Sequence, residues 1–299
     1  MVIKSFIRAR GLTLIELLVV LAIIAVVFAL GLSAIHSVRK SSERVKCLNN
    51  IRQIVQSLHH HHDTIGFLPF GHRSPKFLGN LPYTGWPLAV LPFLEQESVY
   101  SISLVDFQKN RDPFFGHSGL TRVLNIFLCP SDSRATVPHI ANRSQMLAAF
   151  TCYQGCSGLN CKSGDGLLVG DKKFRLADAL DGTGNTILLG ERPVSHDFDF
   201  SWWYAGFGQD GHGSLDQIMG VCEFNLLPII QNSKCGPGSY SFGEASGVND
   251  PCGQFHFWSL HQAGGHFGFA DGSVRFMPYT SNRILPALAS RAGGEPPIY

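Results

Sequence analysis

The sequence has little charge for its length. Charged residues make up 15% of the 299 residues, whereas hydrophobic residues make up 44%. Such a chain buries enough apolar surface to fold, which excludes an intrinsically disordered protein and a charged coiled-coil rod. The formal net charge is only +2, and three bases, Lys4, Arg8 and Arg10, precede Gly11. The remainder has no basic surplus and no long Lys/Arg tract, so we expect no nucleic-acid partner.

The motifs of common enzyme classes are also missing. The sequence contains no Gly-x-Ser-x-Gly nucleophile motif, no His-Glu-x-x-His metal motif, no P-loop and no dinucleotide fingerprint. None of its eight cysteines forms a Cys-x-x-Cys pair, which argues against zinc. We therefore predict no catalytic residues, no metal ligands and no cofactor, and we do not expect an enzyme.

One long apolar block stands near the N-terminus. Residues 12 to 32 are almost entirely apolar, and their one charged residue is Glu16. As a helix the block is about 31 Å long, which matches the ~30 Å hydrocarbon core of a bilayer. A carboxylate in the membrane costs roughly 2.5–3.5 kcal/mol, so we expect a partner charge to offset it. A plain signal anchor and a cleaved secretory signal peptide are the two simpler interpretations of this block.

The residues around Glu16 resemble the cleavage and methylation segment of type IV pilins and type II secretion pseudopilins. From Gly11 the chain reads Gly-Leu-Thr-Leu-Ile-Glu-Leu-Leu-Val-Val. The resemblance implies that prepilin peptidase cuts the bond between Gly11 and Leu12 and methylates the new amine of Leu12. The sequence departs from the family at Leu12, where Phe is usual.

The resemblance gives the acid a role that elementary electrostatics supports. Cleavage would leave a positive amine at Leu12, about 6 Å along the helix from Glu16. When helices of several subunits stack with an axial offset, Glu16 of one subunit can pair with the amine of another. A wrong offset leaves the buried acid unpaired. Glu16 is therefore predicted to set the register of assembly.

The helical pattern continues beyond the apolar block, and no proline occurs between residues 12 and 68. Apolar residues recur mostly every three or four positions: Ile35, Val38, Val45, Leu48, Ile51, Val55 and Leu58. This amphipathic spacing predicts a long helix whose second half is buried against a head. Together with the resemblance, which implies the leader and the export of the head, this gives a leader peptide over residues 1 to 11, a transmembrane and amphipathic helix over 12 to 62, and an extracytoplasmic head over 63 to 299.

The head is predicted to contain short antiparallel strands. Residues 266 to 277 alternate apolar side chains around an Asp-Gly pair, which is a strong hairpin signal. Strands are also predicted over residues 123 to 128, 166 to 170 and 185 to 190. Residues 192 to 253 are interpreted as long surface elaborations, whose aromatic side chains we expect in the core. A long helix followed by hairpins predicts an α+β fold, with a pilin-like helix packed on an antiparallel-sheet head.

Five segments together resemble a large bacterial family of prepilin-like proteins that carries a domain of unknown function. The family's C-terminal signature, His-x9-Asp-Gly, is matched by His261, Asp271 and Gly272. Four supporting segments begin, in chain order, at Cys47, Leu91, Phe127 and Asp181. A catalytic or metal-binding role for His261 and Asp271 competes with a structural one, in which Asp271 suits the turn before Gly272.

Eight cysteines in an exported head suggest disulfides, and eight allow about 105 connectivities. Cys47 and Cys129 both fall in family segments, so the resemblance suggests a disulfide between them. Some pseudopilins hold Ca²⁺ in a loop of the head, so calcium is a candidate without assigned ligands. The available carboxylates are Asp165, Asp171, Asp178, Asp181, Asp197 and Asp199.

These observations predict a pilin-like structural subunit. It is expected to enter the inner membrane as a single-pass prepilin with its head in the periplasm or outside the cell. Its expected partners are prepilin peptidase and other pilin or pseudopilin subunits, in a type IV pilus-like filament or a type II secretion pseudopilus. The alternative is a membrane-anchored extracytoplasmic enzyme or binding protein that uses the N-terminal segment for export. A catalytic pair of His261 and Asp271 would favour the alternative.

Overall fold

A computed structural model describes residues 13–226 and 235–294, except for the side chains of residues 29–34 and 36. The predicted leader peptide and the predicted cleavage residues Gly11 and Leu12 lie outside this range. The described chain divides into two compact units, the first ending at Ser42 and the second beginning at Glu43.

One long helix and several short ones make up the helical part of the fold. The α-helices are α1 (Leu14–Ile65), α2 (Trp86–Ala89), α3 (Glu97–Lys109) and α4 (Leu285–Ala289). Short 3-10 helices lie at Leu91–Phe93, Ser118–Thr121, Asn125–Phe127, Ser133–Thr136, Leu176–Asp178, Thr183–Asn185, Gly253–Phe255 and Tyr279–Arg283. Helix α1 is followed by Gly66, whose φ of +86° is a left-handed conformation that glycine adopts at low cost.

A five-stranded sheet forms the centre of the second unit. The strands are β1 (His139–Ile140), β2 (Leu147–Ala148), β3 (Tyr153–Cys156), β4 (Ile187–Glu191), β5 (Ile218–Met219), β6 (Cys222–Asn225), β7 (Gly238–Ser241), β8 (Gly264–Phe269) and β9 (Val274–Pro278). The main sheet has the order β5-β3-β4-β8-β9 and is antiparallel except between β3 and β5. Two small antiparallel pairs, β1–β2 and β6–β7, lie outside it. The predicted α+β fold, with a long helix and a mainly antiparallel sheet, is confirmed.

Within the second unit, α1 packs on the main sheet. The side chains that form its buried face are fully inaccessible: Cys47, Ile51, Ile54, Val55 and Leu58. Gly268 on β8 makes this close approach possible, because a Cβ atom there would lie 2.5 Å from Val55 Cγ2 and 2.9 Å from Ile51 Cγ2. On the neighbouring strand β9, the centroid of the Phe276 ring lies 3.7 Å from the guanidinium carbon of Arg44. The apolar spacing therefore placed Ile51, Val55 and Leu58 correctly, whereas Val45, which it put on the same face, is 55% exposed.

The first unit presents a different environment. Every described side chain from residue 13 to 28 is exposed, although nearly all of them are apolar. No helix among the described residues combines the length and the hydropathy that a membrane crossing requires. The transmembrane segment predicted from the sequence is not supported by that finding.

Several local predictions can be compared with the structure. The hairpin is confirmed as β8–β9, and β4 confirms the strand predicted over residues 185 to 190. The strand predicted over residues 123 to 128 is wrong. Leu124, Phe127 and Leu128 are buried at helical spacing, and the chain forms a 3-10 turn there. Residues 166 to 170 form no strand, because the chain bends at residues 166 to 168 and Gly170 makes a single bridge to His72.

The segment from 192 to 253 is more than a surface elaboration. Its strand β5 pairs with β3 at the edge of the main sheet. Trp203 and Tyr204 are fully buried, and Trp202 is 5% exposed, so the expectation that these aromatics belong to the core is confirmed. Phe207 is the exception, with half of its surface exposed.

Candidate functional site

The first candidate site is the start of α1. Thr13 and Glu16 form a capping box: the Thr13 backbone N–H donates to Glu16 Oε2 at 2.8 Å, and the Glu16 N–H donates to Thr13 Oγ1 at 3.3 Å. The Thr13 hydroxyl also donates to Glu16 Oε2 at 2.9 Å. These bonds satisfy backbone donors that a helix N-terminus leaves free. The Thr-x-x-Glu spacing before an apolar run was the sequence signal for this cap, and our sequence reasoning missed it.

The second candidate site contains the signature residues, which the structure does not bring together. His261 precedes β8 and Asp271 follows it, so the six-residue strand separates them. A strand of that length spans roughly 17 Å. His261 and Asp271 therefore do not form the catalytic pair that would have favoured the alternative interpretation.

Asp271 and Gly272 form the turn of the hairpin. Gly272 has a φ of +87°, and Asp271 Oδ1 accepts a hydrogen bond from the Ser273 N–H at 2.8 Å. The Arg275 guanidinium lies 3.4 Å from Asp271 Oδ2. The loop covers residues 270 to 273, since β8 ends at Phe269 and β9 begins at Val274. The left-handed residue is thus the glycine, and the aspartate stabilises the turn through its side chain.

His261 belongs to a buried cluster, which we call the Glu191 cluster: Cys47, Cys129, Glu191, His261 and His266. These residues come from α1, the turn after the Asn125–Phe127 helix, the end of β4, the loop before β8, and β8 itself. His261 Nε2 lies 3.7 Å from Cys129 Sγ and 3.5 Å from Glu191 Oε1. All five residues are less than 9% exposed.

Glu191 is the centre of this cluster. Its Oε2 accepts the His266 backbone N–H at 2.8 Å, and its Oε1 accepts the His266 Nδ1–H at 3.1 Å. Burial raises the pKa of a carboxyl, but the hydrogen bonds from His261 and His266 outweigh burial here and lower the pKa of Glu191 to about 2. Glu191 is therefore a buried carboxylate held by two histidines. Our sequence reasoning did not single it out, although it ends one of the family segments.

Cys47 and Cys129 are joined in a disulfide within the same cluster, as the family resemblance implied. The link ties α1 to the loop that follows the Asn125–Phe127 helix. Asn50, one turn along α1, supports the same junction, because its Nδ2 donates to the Leu128 carbonyl at 2.9 Å. A second disulfide joins Cys235 and Cys252.

The aspartates considered for calcium do not converge. Asp165, Asp178 and Asp181 accept backbone N–H bonds of Leu159, Arg175 and Gly293, respectively, at 2.7–2.9 Å. Over residues 13–226 and 235–294, one group of three or more His, Cys, Asp or Glu side chains brings its ligand atoms together, and it consists of Cys47, Cys129, Glu191 and His261.

A cavity of about 360 Å³ lies elsewhere in the second unit. Aromatic and charged side chains share its wall: Asp112, Phe114, Phe115, Arg143, Asp199, Phe200, Trp202, Phe207 and Asp216. Burial raises the pKa of the Asp216 carboxyl to about 7 and also raises the pKa of Asp199. An aromatic wall with one cation and several carboxyls can bind a small polar ligand.

Comparison with known proteins agrees with the two resemblances found in the sequence. Residues 7–32 match the prokaryotic N-terminal methylation motif. Residues 36–283 match the family described as "Protein of unknown function (DUF1559)". Neither a curated protein nor a solved structure matches the chain. The methylation motif marks a type IV pilin-like precursor that prepilin peptidase processes, and the longer match, which covers most of the chain, shows that this protein belongs to the DUF1559 family.

Proposed function

We propose that this protein is a structural subunit that assembles through α1 with other pilin or pseudopilin subunits, in a type IV pilus-like filament or a secretion pseudopilus. The observation that carries the proposal is the match of residues 7–32 to the methylation motif, together with the exposed apolar side chains that α1 presents within the same segment. The proposed role is structural and not enzymatic. The separation of His261 from Asp271 by strand β8 supports that choice.

The proposed association energy comes from the apolar residues of the first unit. Leu14 and Phe28 are 78% and 67% exposed, and the side chains described between them are exposed as well. An apolar surface of this extent needs a lipid or protein environment. In the proposed sequence of events, the helix first crosses the inner membrane, with the head in the periplasm or outside the cell. After cleavage, the helix packs against the same segment of neighbouring subunits.

Glu16 has two separable functions in this proposal. Its carboxylate oxygen caps the start of α1, and its charge pairs with the Leu12 amine of a neighbouring subunit. A Glu16→Gln variant keeps an oxygen acceptor for the Thr13 N–H but removes the charge, whereas Glu16→Ala removes both. Thr13→Ala removes the capping hydroxyl and keeps the charge. These three substitutions distinguish a capping role from a register role.

We expect Glu16→Gln to reduce assembly by at least about tenfold, and Glu16→Ala by at least as much, because each leaves the neighbouring amine without its partner. Thr13→Ala should lose less than about half of the assembled protein, since a lost cap costs roughly 1 kcal/mol. The measurement is the amount of chain in sheared or cross-linked filaments, relative to the total in the membrane. Normal assembly of Glu16→Gln would contradict the register role.

The cavity favours a second candidate function, in which the head binds a small polar ligand and the N-terminal segment serves for export only. That candidate predicts a different result in the same experiment. The Glu16 variants would then export as much folded head as the wild-type protein. No assembled form of the variants or of the wild-type protein would be recovered. Recovery of wild-type assemblies that are lost in Glu16→Gln would reject it.

A further inference from the structure

The Glu191 cluster has the ligand set of a zinc site. Cys47 Sγ, Cys129 Sγ, Glu191 Oε1 or Oε2 and a His261 ring nitrogen supply four donor atoms that all lie within 4.8 Å of one another. Two thiolates and an imidazole select zinc over calcium or magnesium, which prefer oxygen ligands. Structural zinc sites use four protein ligands in a closed shell, and all four residues here are buried.

The distances around His261 fit a tetrahedral ion. With bonds of about 2.0–2.3 Å, ligand atoms on a tetrahedral zinc lie roughly 3.3–3.8 Å apart. His261 Nε2 lies 3.7 Å from Cys129 Sγ and 3.5 Å from Glu191 Oε1. These two separations already have the length that a shared ion requires. The two sulfurs, bonded to each other in the disulfide, would have to separate to roughly 3.8 Å.

The surrounding hydrogen bonds hold the carboxylate ligand in place. His266 donates its backbone N–H and its ring N–H to the two oxygens of Glu191, at 2.8 and 3.1 Å. Outer partners of this kind orient a metal ligand and are themselves important for affinity. Since His266 and Glu191 lie on the adjacent strands β8 and β4, the ligand is fixed by the sheet and not by a mobile loop.

We propose that Cys47, Cys129, Glu191 and His261 form a zinc site whenever the two cysteines are thiols, and that the Cys47–Cys129 disulfide is the metal-free form of the same site. A dithiol or phosphine reductant transfers two electrons to the disulfide and is itself oxidised, leaving two thiols. Zn²⁺ then replaces the two thiol protons, which go to the solvent. The two forms exclude each other because the same sulfur atoms cannot be bonded together and ligate the ion. This inference does not depend on the assembly proposed above.

Zinc content of the full-length chain in its two redox forms tests this proposal. The chain is produced in a reducing cytosol, purified in detergent with a phosphine reductant, exposed to Zn²⁺ and freed of excess metal. We expect about one zinc per chain by elemental mass spectrometry. Oxidation with diamide should release the ion and lower the intact mass by two hydrogens for each disulfide formed. A reduced chain that holds no zinc would overturn the proposal.

Variants locate the ion and control for folding. His261→Gln and Glu191→Gln should weaken zinc binding at least about tenfold. A chain with Cys235→Ala and Cys252→Ala, which lacks the other disulfide, should bind like the wild type. Unfolding of each variant in its oxidised, metal-free form shows whether the fold is intact. If a variant does not fold, the absorption spectrum of the reduced wild-type chain with Co²⁺ tests the site instead. Tetrahedral thiolate ligation gives sulfur-to-cobalt absorption bands. Their absence would contradict the site. Unchanged zinc binding in a folded His261→Gln chain would also overturn it.

Discussion

Replacing Cys47 and Cys129 together with alanine is expected to lower the free energy of unfolding of the oxidised protein by about 4.5 kcal/mol. The two cysteines are 82 positions apart in the sequence. A link across so long a loop removes much of the conformational entropy of the unfolded chain, which is the larger part of its stabilising effect. Alanine is preferred to serine because a buried hydroxyl without a partner would add a cost of its own.

The second disulfide provides a matched control for this prediction. Cys235 and Cys252 are 17 positions apart, so their replacement by alanine should cost about 3 kcal/mol, less than the longer link. The measurement is denaturant unfolding without reductant, followed by the fluorescence of the four tryptophans, all of which lie beyond residue 85. A loss below about 1 kcal/mol for the Cys47–Cys129 pair would show that noncovalent packing alone fixes α1 to the loop.

Gly268→Ala is expected to destabilise the second unit by about 3 kcal/mol, because the new methyl group overpacks the contact between β8 and α1. Its Cβ atom would lie 2.5 Å from Val55 Cγ2 and 2.9 Å from Ile51 Cγ2. Both neighbours are β-branched residues on a helix, where one χ1 rotamer dominates, so neither can turn away. The helix or the strand must therefore move, and the core that they share must repack.

A second substitution tests whether this contact is the cause. Val55→Ala removes the nearest methyl group and alone should cost about 2 kcal/mol through the space it leaves. In the double variant the new methyl of residue 268 occupies part of that space. The cost of the double variant should therefore be at least about 1 kcal/mol below the sum of the single costs. Additive costs would show that residue 268 acts through something other than its contact with Val55.

The fold could be predicted where one physical rule dominates. Alternation around an Asp-Gly pair located the β8–β9 hairpin, and the three-to-four spacing placed Ile51, Val55 and Leu58 on the buried face of α1, although Val45 is exposed. Short apolar runs were less informative. The run from 123 to 128 contains Leu124 and Phe127, which point into the core from a 3-10 turn and not from a strand. A six-residue run with five apolar residues is compatible with either geometry, and tertiary packing decides between them.

The candidate sites, too, could be predicted from the sequence only in part. The motif identified His261, but apart from His266 its partners in the Glu191 cluster are distant in the sequence, and Cys129 lies 132 positions away. No local spacing could indicate that these residues meet, because the packing of α1, β4 and β8 brings them together. The hydrogen bonds of Asp271 within its own turn, by contrast, were expected from the residue types alone.

The central claim is that this chain is a prepilin, cut between Gly11 and Leu12 and then assembled through the helix that follows. Intact mass and N-terminal analysis of the native protein, isolated from cells with an active prepilin peptidase, tests it most directly. We predict a chain that begins at Leu12 and carries an N-methyl group. A native protein that keeps Met1, or one that begins near residues 31 to 33, would contradict the account.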